Sequence, residues 1–223
     1  MLPLLRSGIR FRETACDQGC DWADPRARAK HEACLKNEAR SSRLASAENA
    51  KPTWRHVKAE LDRFDRAGLL GLIKDLHGAS RDNEAFLCAR LGLGTDPLEP
   101  YRKAISRWIC PDLMKGQNVS IAKAKKAISD YKKAAGLPQG IAELSVFYLE
   151  EALSLLSWCS MDDEGYYAAL VHMFEQAQIA VERLPASERA SFYERLDPLR
   201  SAAGNLGWGV KEAFDELWYS RVE

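Results

Sequence analysis

From about residue 52 onward, apolar side chains recur at three- and four-residue steps, and no stretch alternates strictly between apolar and polar residues. The first pattern covers one side of an α-helix. The second is what a half-buried strand requires. The chain is therefore expected to be all-α. Connections after Leu137 are short, so successive helices should lie antiparallel, as an irregular multi-helix bundle or as stacked helical hairpins. No segment repeats at a fixed period, so a repeat array with a sequence signature is not supported.

Local signals place the helices. Thr53 is positioned to cap a short helix carrying Trp54, Val57, Leu61 and Phe64. A second carries Leu69, Leu70, Leu72, Ile73 and Leu76, and a third runs from about Asn83 to Leu91, ended by Gly92 and Gly94. Asp96-Pro97 reads as the next start, with Asp96 as cap, Pro97 in the first turn and Glu99 completing a box-like pattern. That helix carries Tyr101, Ile105, Trp108 and Ile109 and stops at Pro111. After Ser120, a stripe of Ile121, Ala124, Ile128, Tyr131 and Ala135 is closed by Gly136 and Pro138. The stretch from about Ile141 to Cys159 is apolar nearly all round, which predicts a central helix contacted on several sides. Three more helices follow, opening near Asp162-Asp163-Glu164, at Ser187, and after Gly207-Trp208-Gly209.

Residues 1–51 are of another kind. They are rich in Arg, Ala, Ser, Asp and Glu and poor in large aliphatic residues after Leu5, too few to offset the entropy of ordering. They are expected to form a mostly disordered N-terminal extension, and residues 52–223 a single all-helical domain. The opening Met1-Leu2-Pro3-Leu4-Leu5 is too short for a signal-peptide core, and no apolar run reaches the roughly 20 residues of a bilayer span. A cytoplasmic protein without membrane association is expected. Of the six cysteines, Cys88, Cys110 and Cys159 sit beside large apolar residues, as buried thiols do.

Three segments carry a resemblance: Ser129-Asp130-Tyr131-Lys132-Lys133-Ala134, then Ala142 to Glu151, then Asp163-Glu164-Gly165-Tyr166-Tyr167 with Met173-Phe174. The ending Asn205-Leu206-Gly207-Trp208-Gly209-Val210 adds to it. Together they resemble a family of small all-helical bacterial proteins of unknown function, over about residues 53–218. The resemblance implies the helical fold and assigns no reaction.

Three sets of residues are candidates for chemistry. Cys16, Cys20, His31 and Cys34 supply three thiols and an imidazole, the donors of a tetrahedral zinc shell. Their spacing lacks a second paired knuckle, and incidental cysteines in a polar tail explain them as well. The second set is Lys123, Lys125, Lys126, Lys132 and Lys133, opposite the apolar stripe of its helix, with Arg102, Lys103 and Arg107 on the preceding helix. Such a face binds phosphates without reading sequence, and a solvated helix face has the same composition. No aromatic reading surface is interleaved with it. Charge is divided along the chain: residues 101–139 hold nine Lys or Arg against two Asp, a net of +7, and residues 140–223 hold six against fifteen acids, a net of −9.

The third set is Glu143 and Glu150, seven apart on one helical face, with Glu151 adjacent. Buried, they would suit general acid–base work; otherwise they are a polar stripe that reaches water or pairs with lysine. No Glu-x-x-His pair completes a di-metal site, and no Ser, Cys or Thr sits in a nucleophile elbow. His56, His77 and His172 are isolated, and Gly207-Trp208-Gly209 reads as a turn that lays an indole over the end of the bundle. A non-enzymatic helical interaction or scaffold protein, with another protein as partner, is the expected role. The alternatives are nucleic-acid binding through the lysine-rich helix and an enzyme with an unrecognised carboxylate site.

Overall fold

The computed structural model describes residues 51–159 and 161–222. Among them every regular element is a helix: α1 (Trp54–Leu61), α2 (Arg66–Ala79), α3 (Arg81–Leu91), α4 (Glu99–Ile109), α5 (Ile121–Ala134), α6 (Pro138–Trp158), α7 (Glu164–Glu182), α8 (Ala186–Ala202) and α9 (Val210–Val222). Two single 3₁₀ turns, Leu113–Lys115 and Ala203–Asn205, lie in the connections. The chain divides into one unit ending at Arg66 and another beginning at Ala67. The expected N-terminal extension lies almost wholly outside the described residues.

In the first unit, α1 buries none of its residues, and Trp54 and Phe64 are exposed. Its start is tied locally, with the Thr53 N–H donating to Nδ1 of His56 at 3.2 Å.

The second unit is organised about α6. This helix buries Leu144, Val146, Tyr148, Leu149, Ala152 and Leu155 completely. Full burial of each such large side chain contributes about 1.5–3 kcal/mol. A helix apolar on all sides must be contacted on all sides, and α6 packs against α4, α5, α7 and α8. From α4 onward each helix meets the next in sequence. Contacts also join α3 to α5, α4 to α6, α6 to α8 and α7 to α9. Contact with both the next helix and the next but one is the arrangement of stacked hairpins. At the C-terminal end, Phe174 of α7 and Phe214 of α9 stack face to face, with ring centroids 4.1 Å apart.

Two helix boundaries differ from the sequence reading. Asp96 is not the cap of α4. Its Oδ1 accepts from the Leu98 N–H at 2.9 Å in a turn that precedes the helix, and Leu98 is the capping position. Pro100 then occupies the first turn that Pro97 was expected to fill. Both prolines suit that position, since neither has an N–H to leave unpaired. The apolar stripe of α5 is turned slightly as well. Ala124, Ala127, Tyr131 and Ala134 are buried, while Ile121, Ile128 and Ala135 lie half-buried at its edge.

The side of α2 that the sequence marks as apolar is largely uncovered. Leu70, Ile73 and Leu76 are 55%, 44% and 50% exposed, and α2 buries none of its residues. Asn83 links α2 to α3 by donating Nδ2–H to the Leu76 carbonyl at 2.7 Å. Phe86, Leu91 and Leu93, on and just after α3, are exposed too.

Candidate functional site

The structure divides the five lysines of α5 between different edges of the helix and different neighbours. At 100° per residue, Lys126 and Lys133 share one edge of the helix and Lys125 and Lys132 the other. Lys126 pairs with Asp130, and Lys133 lies 3.7 Å from the same carboxylate. These i,i+4 and i,i+3 spacings were visible in the sequence. Lys125 is half-buried, and desolvation lowers its ammonium from the usual value. Lys132 is exposed with no acidic partner among the described residues.

Lys123 meets an aromatic ring of the preceding helix. Its ammonium lies 3.8 Å from the centroid of Trp108, and the Arg107 guanidinium lies 4.6 Å from the same ring. Two cations thus share one indole where the end of α4 meets the start of α5. The attraction of a cation for a ring face is worth about 0.5–1 kcal/mol at such exposed sites. Neither Arg107 nor Lys123 has an acidic partner among the described residues.

Glu143 and Glu150 do share a face of α6, and both point to one residue that the sequence reading missed. Arg195 of α8 donates Nη1–H to Glu143 at 2.6 Å, and Nε–H and Nη2–H to Glu150 at 2.8 and 2.9 Å. Arg102 of α4 approaches Glu143 at 3.6 Å and pairs with Asp96 at 2.5 Å. Hydrogen bonds that the Arg195 guanidinium donates to Glu150, and then to Glu143, hold it firmly charged against its partial burial. Burial by itself would raise the Asp96 carboxyl, but the Leu98 N–H and the Arg102 guanidinium outweigh it and hold it below its usual range. The result is an ion-pair network across α4, α6 and α8. Both carboxylates accept hydrogen bonds from a fixed cation, a bracing arrangement rather than that of a general base beside a substrate.

Cys16, Cys20, His31 and Cys34 lie outside the described residues. Among the described residues no group of three His, Cys, Asp or Glu is placed to hold a metal ion. His172 is exposed, 3.7 Å from Glu175. Trp208 adopts the left-handed conformation at φ 62° and stacks on Tyr167, as expected for an indole laid over the bundle's end.

A cleft of about 480 Å³ opens between α4, the segment after it and α6. Arg102, Lys103 and Arg107 line it from α4, with Pro111 and Gln117 from the connection and Phe147 from α6. Cys110 also borders it, and burial, aided by Glu151, pushes its thiol up and away from the reactive thiolate. The cation row was legible as a one-sided pattern on α4. The apolar wall was not, because it comes from a helix 40 residues away.

No protein-family model, curated protein or solved structure matches this chain. Among the described residues no helix is long and apolar enough to cross a membrane.

Proposed function

We propose that this chain is a non-catalytic helical interaction protein of the cytoplasm, whose partner is another protein engaged through the uncovered apolar side of α2 and α3. One observation carries this reading. Leu70, Ile73 and Leu76 follow one another along α2 at three-residue steps, each 44% to 55% exposed. Isolated helices of 14 residues are marginal in water and draw their stability from packing. Contiguous exposed apolar surface of this kind marks interaction sites in soluble proteins. The braced state of Glu143 and Glu150 supports a role without acid–base chemistry. The thiols of Cys88 and Cys110 suit a reducing compartment. The resemblance to small helical bacterial proteins of no assigned reaction fits the same role.

The test compares the full chain with a Leu70→Gln, Ile73→Gln double variant in parallel affinity captures from the source cells. The native chain should retain a specific protein that the variant loses, while thermal unfolding of the two stays alike. Identical captures from both, or none from the native chain, would reject the reading.

A second reading, binding to a phosphate backbone, is favoured by the absence of acidic partners for Arg107, Lys123 and Lys132 among the described residues. It predicts a gel shift at low salt that disappears when Lys123, Lys125, Lys126, Lys132 and Lys133 become Gln. The pairing of Lys126 and Lys133 with Asp130 opposes it, because two of the five charges are already answered.

A further inference from the structure

The cleft beside α4 takes none of its lining from α2, and it shares Arg102 with the Glu143–Arg195 brace. Its volume of about 480 Å³ falls in the range that holds a compact small molecule. Its walls differ in chemistry. Phe147 and Pro111 offer apolar surface, Ser106 and Gln117 offer hydrogen-bonding groups, and α4 offers cations.

The state of each cation decides what the cleft attracts. Arg102 is engaged by Asp96 and Glu143. Lys103 pairs with Glu99 at 2.7 Å, but its side chain is 75% exposed and that of Glu99 55%. Exposed pairs of this kind are worth at most about 1 kcal/mol, so Lys103 is readily recruited elsewhere. Asp112, the other acid at the cleft, is answered by Lys115 at 2.8 Å. Arg107 forms no ion pair among the described residues, and its guanidinium lies over the Trp108 ring. One guanidinium is therefore unanswered, with a weakly held ammonium one turn away on the same helix.

A carboxylate brings one charge and gains little by exchanging with Glu99. A phosphate monoester carries about −1.5 to −2 at neutral pH and presents three acceptor oxygens, so it can engage Arg107 and Lys103 together. We propose that this cleft binds a small organic phosphate, with the phosphate held by Arg107 and Lys103 and the apolar body lying against Phe147 and Pro111.

The test is calorimetric titration of the full chain with 1-naphthyl phosphate, alongside 1-naphthol and inorganic phosphate. The expected result is saturable binding of the ester, with naphthol and inorganic phosphate each at least about tenfold weaker. Arg107→Gln should weaken the ester about tenfold and Lys103→Gln several-fold, both effects fading at high salt. No saturable binding of the ester at millimolar concentration overturns the proposal, as does an affinity unchanged in both variants. Equal binding of naphthol would make the cleft merely apolar, and equal binding of inorganic phosphate merely cationic, and either overturns it. Lys103 is 75% exposed and its one ion pair among the described residues is with Glu99, so its variant decides the matter even where Arg107→Gln disturbs the end of α4.

Discussion

Single residues in the core show where this fold spends stability and where it has none to spare. The Tyr148 ring is fully buried on α6, and its hydroxyl has no hydrogen-bond partner among the described residues. A buried polar group left unpaired costs about 1–3 kcal/mol relative to one that is satisfied. Tyr148→Phe removes the group and keeps the ring, so it should leave thermal stability unchanged or raise it by up to about 1 kcal/mol. A clear loss would mean that the hydroxyl is bonded in solution. Gly140 is the opposite case. A methyl there would lie 2.1 Å from the Tyr131 hydroxyl and 2.5 Å from its ring, and Tyr131 is itself buried edge-on against Tyr101. Tyr131 is almost fully buried, so its ring can move aside only by displacing packed neighbours. Gly140→Ala should therefore destabilise by roughly 1–3 kcal/mol despite the better helix propensity of alanine, as a denaturant midpoint would show.

At the scale of elements, spacing made one half of each interaction visible and hid the other. The seven-residue separation of Glu143 and Glu150 declared a shared face. That the face meets Arg195, more than 40 residues on, depends on α8 returning across α6, which no local pattern states. The apolar period of α2 likewise identified the side that seeks cover without naming what covers it. The edge of α5 that carries Lys126 and Lys133 with their shared Asp130 was readable, because i,i+3 and i,i+4 neighbours follow from helix geometry alone. The brace itself is testable. Arg195→Ala leaves two carboxylates without their main donor. Both are about a third exposed or less, so water recovers part of the loss, and destabilisation of about 1–2 kcal/mol is expected. Arg195→Lys keeps the charge but loses the fork that spans both acids, and should recover less than half of it. Full recovery by lysine would mean that charge alone, and not the bidentate geometry, joins α6 to α8.

For the molecule as a whole, the all-helical class was legible because amphipathic period is a local property repeated along the chain. Stacked hairpins were one of the two arrangements expected, and the choice between them and an irregular bundle stayed open because it depends on which sides of α4, α6 and α8 meet. That stacking also places titrating groups so that stability falls at both ends of the pH scale. Asp96 is held below its ordinary 3.8 by the Leu98 N–H and Arg102, against the opposing effect of burial. Asp215 is held below it by Lys211 and then Arg200. A carboxyl depressed in the folded state contributes above its unfolded value, and the contribution is lost as pH falls through the lower folded value. The acid limb should therefore begin only below about pH 4. Tyr101 is pushed up to about 12 by burial, with Asp130 adding to it, and burial raises Tyr148 and Tyr166 as well. Each resists ionisation while folded, so its contribution is intact below the ordinary value of 10.0 and is lost as pH rises beyond it. Denaturant midpoints should be level between these limits. On the alkaline side, tyrosinate absorbance from these three rings should appear together with loss of helical circular dichroism. Ionisation of all seven tyrosines with the helices intact would show that the rings packed on α6 are open to water, and would overturn the core arrangement described above.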